Sequence, residues 1–174
     1  MFYKVLDFIT EFYEAKGSFE SFLDVGSRNI NGTVKEAILR SNKTLPKKII
    51  GVDMIPGDNV DFVLNGHNLT DKFEKESFDL ITCCETFEHD NKFWLTLEQM
   101  KKILKLGGYL LITVPGLYFI EHNYPSDYYR FTKSVLEEVF FEGMTDVYVE
   151  EFKDIHDPTP GKPNNSLLGY AKKI

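Results

Sequence analysis

Over residues 2–15, Phe2, Val5, Leu6, Ile9, Phe12 and Tyr13 recur at helical spacing, and Gly17 follows. The pattern predicts an amphipathic helix that ends near that glycine. The short apolar run Phe19–Val25 predicts a strand, and Gly26–Gly32 a polar loop bounded by glycine. A helix over Thr33–Ser41 comes next, then a strand over Lys48–Val52 that runs into Asp53 and a turn containing Pro56 and Gly57. Val60–Leu64 and Phe78–Cys83 read as the third and fourth strands. Between residues 92 and 105, Phe93, Trp94, Leu97, Met100, Ile103 and Leu104 keep the helical period. The pair Gly107-Gly108 is expected to stop that helix before a fifth strand, Tyr109–Val114. A helix over Thr132–Phe141, with Thr132 as its N-cap, and two strands, Thr145–Glu151 and Leu168–Lys172, complete the pattern.

Strands that alternate with helices at this spacing imply βαβ units and a mainly parallel sheet, an α/β fold. Right-handed crossovers place the loops after strands 1, 2 and 4 on one edge. Ligands of open α/β sheets bind beyond those carboxyl ends, where the strand order reverses. The segments that begin at Asp24, Asp53 and Cys83 are therefore the ones to inspect for chemistry.

Composition narrows the class. The chain has 174 residues, 43% of them hydrophobic and 27% charged, which suits one folded domain over residues 1–174. A domain of this size buries roughly 70% of its unfolded surface and needs no staples. The two cysteines are adjacent, Cys83 and Cys84, so they form no disulfide framework, and a reducing, cytoplasmic setting is expected. They read as packed, inert thiols. No apolar run approaches the ~20 residues of a membrane span, and Asp7, Glu11 and Glu14 exclude a signal peptide at the N-terminus. The net charge of -7 argues against a nucleic-acid partner and against anionic membranes.

The loops carry the candidate chemistry. In Leu23-Asp24-Val25-Gly26-Ser27-Arg28-Asn29-Ile30-Asn31-Gly32, Gly26 permits a sharp turn and close approach of a ligand. The glycine spacing is G-x5-G rather than the G-x-G-x-x-G of dinucleotide sites, which disfavours a nicotinamide oxidoreductase. Asp24, two residues before the glycine, suits a cationic ligand; otherwise it is a surface or capping residue. Asp53 ends the second strand and is placed to accept both hydroxyls of a ribose, or else it makes a turn. Met54 beside it offers an apolar face for a planar ring. Asn68, in Gly66-His67-Asn68-Leu69, has an amide that reads an adenine edge or makes an Asx turn.

As a set, LDVGSRNING, IIGVDM, GHNL, FDLITCCETFEH and LKLGGYLLITVPG resemble the class I S-adenosylmethionine-dependent methyltransferases, in that family's order and spacing across residues 22–115. Arg28 stands where a second glycine is common. The GSRNING form resembles a subgroup of small-molecule and glycan-pathway enzymes within the methyltransferase-11-like family. The resemblance implies a Rossmann-like fold: a seven-stranded, mostly parallel sheet of order 3-2-1-4-5-7-6 with helices on both faces. It implies S-adenosylmethionine as cofactor. Asp24, Gly26, Ser27, Asn31 and Gly32 would hold its methionine end, Asp53 the ribose, Met54 one face of the adenine, and Asn68 and Leu69 its edge and other face. Cys84 and Glu85 would line the sulfonium side.

On the acceptor side, the segment His122…Asp127-Tyr128-Tyr129-Arg130-Phe131-Thr132 resembles the DYxRFT element of the same subgroup. Tyr124 and Tyr128 are candidates to stack on a sugar or planar ring. Arg130 either clamps an anionic group or pairs with a nearby carboxylate. His89 and His122 are the candidate bases, His89 being alternatively a residue that holds the loop under the fourth strand. Glu85, Glu88, His89 and His122 resemble the ligand set of small-RNA 2′-O-methyltransferases, which use a divalent ion. E-x-x-E-H is also common in metal-free members, and the acidic balance argues against an RNA enzyme, so no metal is expected. The expected activity is methylation of oxygen or nitrogen on a small molecule or glycan precursor. A non-catalytic cofactor-binding scaffold subunit and a metal-assisted RNA enzyme stand as alternatives. The N-terminal helix, residues 1–17, serves as a lid over the cofactor, docks on the sheet, or forms a homodimer face. The loop Asp154–Asn165 is expected to border the acceptor pocket.

Overall fold

Strand and helix patterns resolve into one seven-stranded sheet of order β3-β2-β1-β4-β5-β7-β6. This computed structural model describes residues 3–30, 32–41, 43–122, 125–153 and 164–174. The strands are β1 (Ser21–Val25), β2 (Lys48–Asp53), β3 (Phe62–Val63), β4 (Phe78–Cys84), β5 (Leu104–Pro115), β6 (Met144–Lys153) and β7 (Asn165–Lys173). β1 runs parallel to β2 and β4, β2 to β3, and β4 to β5, while β7 is antiparallel to β5 and β6. The helices are α1 (Tyr3–Lys16), α2 (Val34–Arg40), α3 (Leu69–Lys72), α4 (Phe93–Ile103) and α5 (Lys133–Val135). None of the described helices is long and apolar enough to cross a membrane.

The side-chain period of two splits the sheet into two apolar faces. Leu23, Val25, Ile81, Leu110 and Ile112 face a layer that contains Leu69, Leu97, Met100, Leu136 and Phe140 from α3, α4 and the α5 region. Phe22, Leu80, Leu111 and Leu168 face the other way, onto Val5, Ile9, Phe12, Val34 and Ile38 from α1 and α2. Strands buried on both faces read as continuous apolar runs, as β1 and β4 do.

Some local expectations are revised. The helix over 92–105 stops at Ile103, and β5 begins at Leu104. Backbone bonds from Glu76 N to Lys102 O and from Ser77 N to Ile103 O draw the chain into the sheet there. Gly107 and Gly108 therefore lie inside the strand, where a Cβ on Gly108 would stand 2.9 Å from the Asp79 carbonyl. Trp94, although on the apolar period of α4, is exposed. Thr132 occupies the N-cap position as expected but without a side-chain hydrogen bond, and after Val135 the chain widens into a π-helical turn over Leu136–Phe140. That wider turn lets Leu136, Phe140 and Phe141 all face the core.

α1 docks on the sheet. The Phe12 ring stands 4.9 Å from that of Tyr170, and Phe8 stacks at 6.2 Å on Tyr148. Lys16 closes the helix end through Asp146, which also accepts from the Tyr109 hydroxyl at 2.6 Å. Of the three alternatives for this helix, docking on the sheet is the one seen, with six α1 side chains buried.

Candidate active site

The strand order reverses between β1 and β4, and a cavity of about 600 Å³ opens there. That lies within the roughly 300–1,000 Å³ typical of small-molecule sites. On the β1 loop, Gly26 N and Ser27 N both donate to Val52 O, at 2.9 and 3.0 Å, which pins the loop across β2. Gly26 has φ +77°, and a Cβ there would meet Thr86 Oγ1 at 2.1 Å, so only glycine lets the β1 and β4 loops approach this closely. The Ser27 hydroxyl donates to Asn59 O at 2.8 Å, and the Asn59 amide donates back to Ser27 O at 2.9 Å. Thr33 then opens α2 with a capping box shared with Glu36.

Asp24 is 5% exposed and lines the cavity. Its Oδ1 accepts from the Thr82 hydroxyl at 2.7 Å, across the parallel pairing of β1 with β4. Burial pushes its pKa up to about 7, and the Thr82 hydrogen bond offsets only part of that. Asp53 ends β2 with Oδ1 accepting from Ile55 N at 2.9 Å and Oδ2 from Arg28 N at 3.3 Å. Those amides fix the carboxylate and leave it further lone pairs for a ligand. Met54 lies beside it, 59% exposed, on the cavity wall.

After β4, Cys84, Glu85, Thr86 and His89 reach the same cavity. Glu85 adopts φ +47°, a left-handed conformation rare for its type and common at functional sites. Burial, then the nearby Glu88 carboxylate, push the Glu85 pKa up to about 8. Glu88 is fully buried, and neither of its oxygens has a hydrogen-bond partner among the described residues. Its Oε1 stands 3.6 Å from His89 Nε2 and 3.7 Å from His122 Nε2. That carboxylate raises the His122 pKa. Burial pushes both thiols, Cys83 and Cys84, well up, so they are inert at neutral pH.

The segment after β5 is stapled over this cluster. Tyr128 N donates to Glu88 O at 2.7 Å, His89 Nδ1 lies 2.6 Å from Ser126 O, and the Tyr129 hydroxyl donates to Asn91 O at 2.9 Å. Arg130 makes a two-pronged pair with Asp127, and its remaining N–H groups donate to the Phe119, Ile120 and Tyr129 carbonyls. All five donors are thereby used. Burial of Asp127 works against ionisation, but Arg130 and the His122 amide hold its pKa down at about 2.

Among the sequence candidates, Asp24, Gly26, Ser27, Gly32, Asp53, Met54, Cys84, Glu85, His89, His122 and Tyr128 line the cavity. Three do not. Asn65 caps a 3-10 turn over Gly66–Asn68, which carries Asn68 out to solvent. Leu69 starts α3 and is fully buried in the core. Arg130 is spent on Asp127 and backbone carbonyls, so it has no donor left to clamp an anionic substrate. Asn31, Tyr124 and most of the Asp154–Asn165 loop lie outside the described residues. The sequence reading missed Asn65, His67, Asp90 and Ile120, which also line the cavity. His67 Nε2 is held 2.8 Å from Asp90 Oδ1. The GHNL motif pointed to this wall, and the turn conformation decided which of its residues face inward.

Sheet order, glycine loop and paired carboxylates define the Rossmann-like fold of class I methyltransferases. The methyltransferase domain family matches residues 1–146. The chain belongs to that family, an S-adenosylmethionine-dependent group of enzymes. No curated protein matches the chain. It is similar in structure to a SAM-dependent methyltransferase from Archaeoglobus fulgidus, with TM-score 0.70, 15% identity, and 98% and 93% of the two chains covered. It is similar to phosphoethanolamine N-methyltransferase 2 of Haemonchus contortus, solved with phosphomonomethylethanolamine and S-adenosylhomocysteine: TM-score 0.65, 17% identity, covering 98% of this chain and 52% of that one. The [4+2]-cyclase SpnF has TM-score 0.69 at 12% identity, with 98% and 80% covered. At these identities the likeness shows the fold alone.

Proposed function

We propose that this enzyme methylates oxygen or nitrogen on a small molecule or glycan precursor. When bound, S-adenosylmethionine supplies an electrophilic methyl group on a sulfonium. The residues present fit that cofactor. Gly26 keeps the β1 loop clear of side chain, Asp24 is a buried carboxylate for the ammonium end, and Asp53 has free lone pairs for the ribose hydroxyls. Met54 and the Asn65–His67 turn would flank the adenine, in place of Asn68 and Leu69. Asn31 and Gly32 complete the methionine side of the proposal.

The observation that carries the acceptor reading is the continuity of one cavity, from Asp24 and Asp53 to His89, His122, Ile120 and Tyr128. His89 and His122 line the part of the cavity where an acceptor would lie, with the buried Glu88 carboxylate behind them. The wall of Phe119, Ile120 and Tyr128 is apolar and aromatic, suited to a sugar face or a planar ring, and Tyr124 belongs to the same proposal. Orienting the acceptor is most of the work, because alignment alone supplies several orders of magnitude. The cytoplasm is the compartment we assign, on the support of two free, buried thiols.

The test is transfer of labelled methyl from S-adenosylmethionine to a panel of small hydroxyl and amine acceptors, sugar nucleotides, and short RNA. The expected result is product on a small acceptor, lost in His122→Asn, and none on RNA. Product on RNA alone would replace this acceptor class. Cofactor binding with no product on any acceptor would favour the scaffold alternative.

A further inference from the structure

We propose that Glu88, His89 and His122 form a binding site for a borderline divalent cation, Zn²⁺, Mn²⁺ or Co²⁺, in the acceptor wall of the cavity. This reverses the expectation from sequence, and it stands on geometry whether or not the acceptor class above is right.

The hydrogen-bond partners fix both imidazole tautomers. His89 Nδ1 lies 2.6 Å from the Ser126 carbonyl, which can only accept, so Nδ1 carries the proton. His122 Nδ1 lies 3.3 Å from the Ile120 carbonyl and 3.3 Å from Asp127 Oδ2, again acceptors. In the neutral rings both Nε2 lone pairs are therefore bare. Both point at one atom, Glu88 Oε1, at 3.6 and 3.7 Å. Three electron-pair donors thus converge, their ligating atoms all within 4.8 Å of one another.

Neither a hydrogen bond nor a bridging water suits these gaps. A contact of about 3.6 Å is too long for a hydrogen bond, and a proton would draw one pair to about 2.8 Å while leaving the other facing lone pair to lone pair. A water in line between two acceptors needs about 5.5 Å. A cation with ligands at about 2.1 Å spaces neighbouring donors by about 3.0–3.4 Å, close to what is found.

Charge balance points the same way. Glu88 is fully buried, and none of the oxygens of Glu88 or Glu85 has a hydrogen-bond partner among the described residues. Buried carboxylates are normally paired or bound to metal. Arg130, the cationic side chain stapled to this segment, is spent on Asp127. The surrounding shell also matches: ligand imidazoles characteristically donate their second N–H to a carbonyl or carboxylate, as both do here. Two imidazoles and one carboxylate, with the imidazoles lining the cavity, leave coordination positions open towards an acceptor oxygen. Such a set favours borderline ions over Mg²⁺ or Ca²⁺, which prefer all-oxygen shells.

The test uses the full chain stripped by a chelator, then titrated with Co²⁺, Zn²⁺, Mn²⁺ and Mg²⁺ by calorimetry, with the visible spectrum of Co²⁺ as a second readout. One equivalent of a borderline ion should bind, with Mg²⁺ at least about 100-fold weaker. Glu88→Gln, His89→Asn and His122→Asn should each weaken binding at least about tenfold, and Asp127→Asn also about tenfold through the His122 ring. Should a variant fail to fold, selective broadening by Mn²⁺ of the His89 and His122 ring protons in the wild type gives the same answer. No saturable binding in folded wild type, or binding indifferent to all four substitutions, overturns the proposal. Titration with S-adenosylhomocysteine in parallel separates it from the cofactor reading, since either site can fail alone.

Discussion

Asp24 and Asp53 occupy equivalent strand ends, yet their surroundings divide them. Asp53 is fixed by two backbone amides at the cavity rim. Asp24 is buried, with one hydroxyl partner and a pKa near 7. Its folded-state pKa lies above the ordinary carboxylate value, so the stability linked to it is full below about pH 4 and is lost as pH rises through about 7. A cationic ligand reverses the preference because it needs the ionised form. Affinity for S-adenosylhomocysteine should therefore rise about tenfold between pH 6 and pH 8, measured by calorimetry, and Asp24→Asn should flatten that dependence. Both aspartates were legible as candidates, Asp24 from its place two residues before Gly26 and Asp53 from its place at the end of the second strand. Their difference was not legible, because it depends on Thr82, 58 residues away and brought alongside only by the β1–β4 pairing.

Secondary elements explain which motif residues work and which only support. Sequence leaves Arg130 of the DYxRFT segment as either an anion clamp or the partner of a nearby carboxylate, and the structure has the second: Arg130 staples its own loop through Asp127. Asp127 has a side chain only 1% exposed, and removing its partner leaves a buried charge uncompensated. Arg130→Ala should cost about 3–5 kcal/mol in urea denaturation. Arg130→Lys should recover only part of this, lacking the planar fork. Cofactor affinity should stay within about twofold, since Arg130 is off the cavity. The same logic explains the misread ends. Periodicity carried the α4 pattern to residue 105, but backbone pairing to β4 captured Leu104. The GHNL turn was placed correctly on the cavity edge, yet a 3-10 turn capped by Asn65 chose His67 over Asn68 to face inward. Local patterns locate elements well. Caps and long-range backbone bonds set their ends and the direction of side chains.

Across the whole molecule, the strand order determines where chemistry can occur. Reversal between β1 and β4 brings a glycine loop, a strand-end carboxylate and two histidines from distant parts of the chain to one cavity. This convergence follows from parallel βαβ topology, which explains why the alternation of apolar runs, with the motif series on it, sufficed to anticipate sheet order and cofactor. The cavity wall after β5 was less legible, because it is built by a segment crossing back over the β4 turn rather than by any periodic element. The most direct test of the account is calorimetric titration of folded protein with S-adenosylhomocysteine and with NAD, in wild type and Asp53→Ala. Saturable binding of the first at one site, and none of the second, is expected. Asp53→Ala should lose affinity at least about tenfold, the expected worth of hydrogen bonds to a charged group, while remaining folded. Absence of S-adenosylhomocysteine binding in folded wild type, or equal affinity in Asp53→Ala, would contradict it.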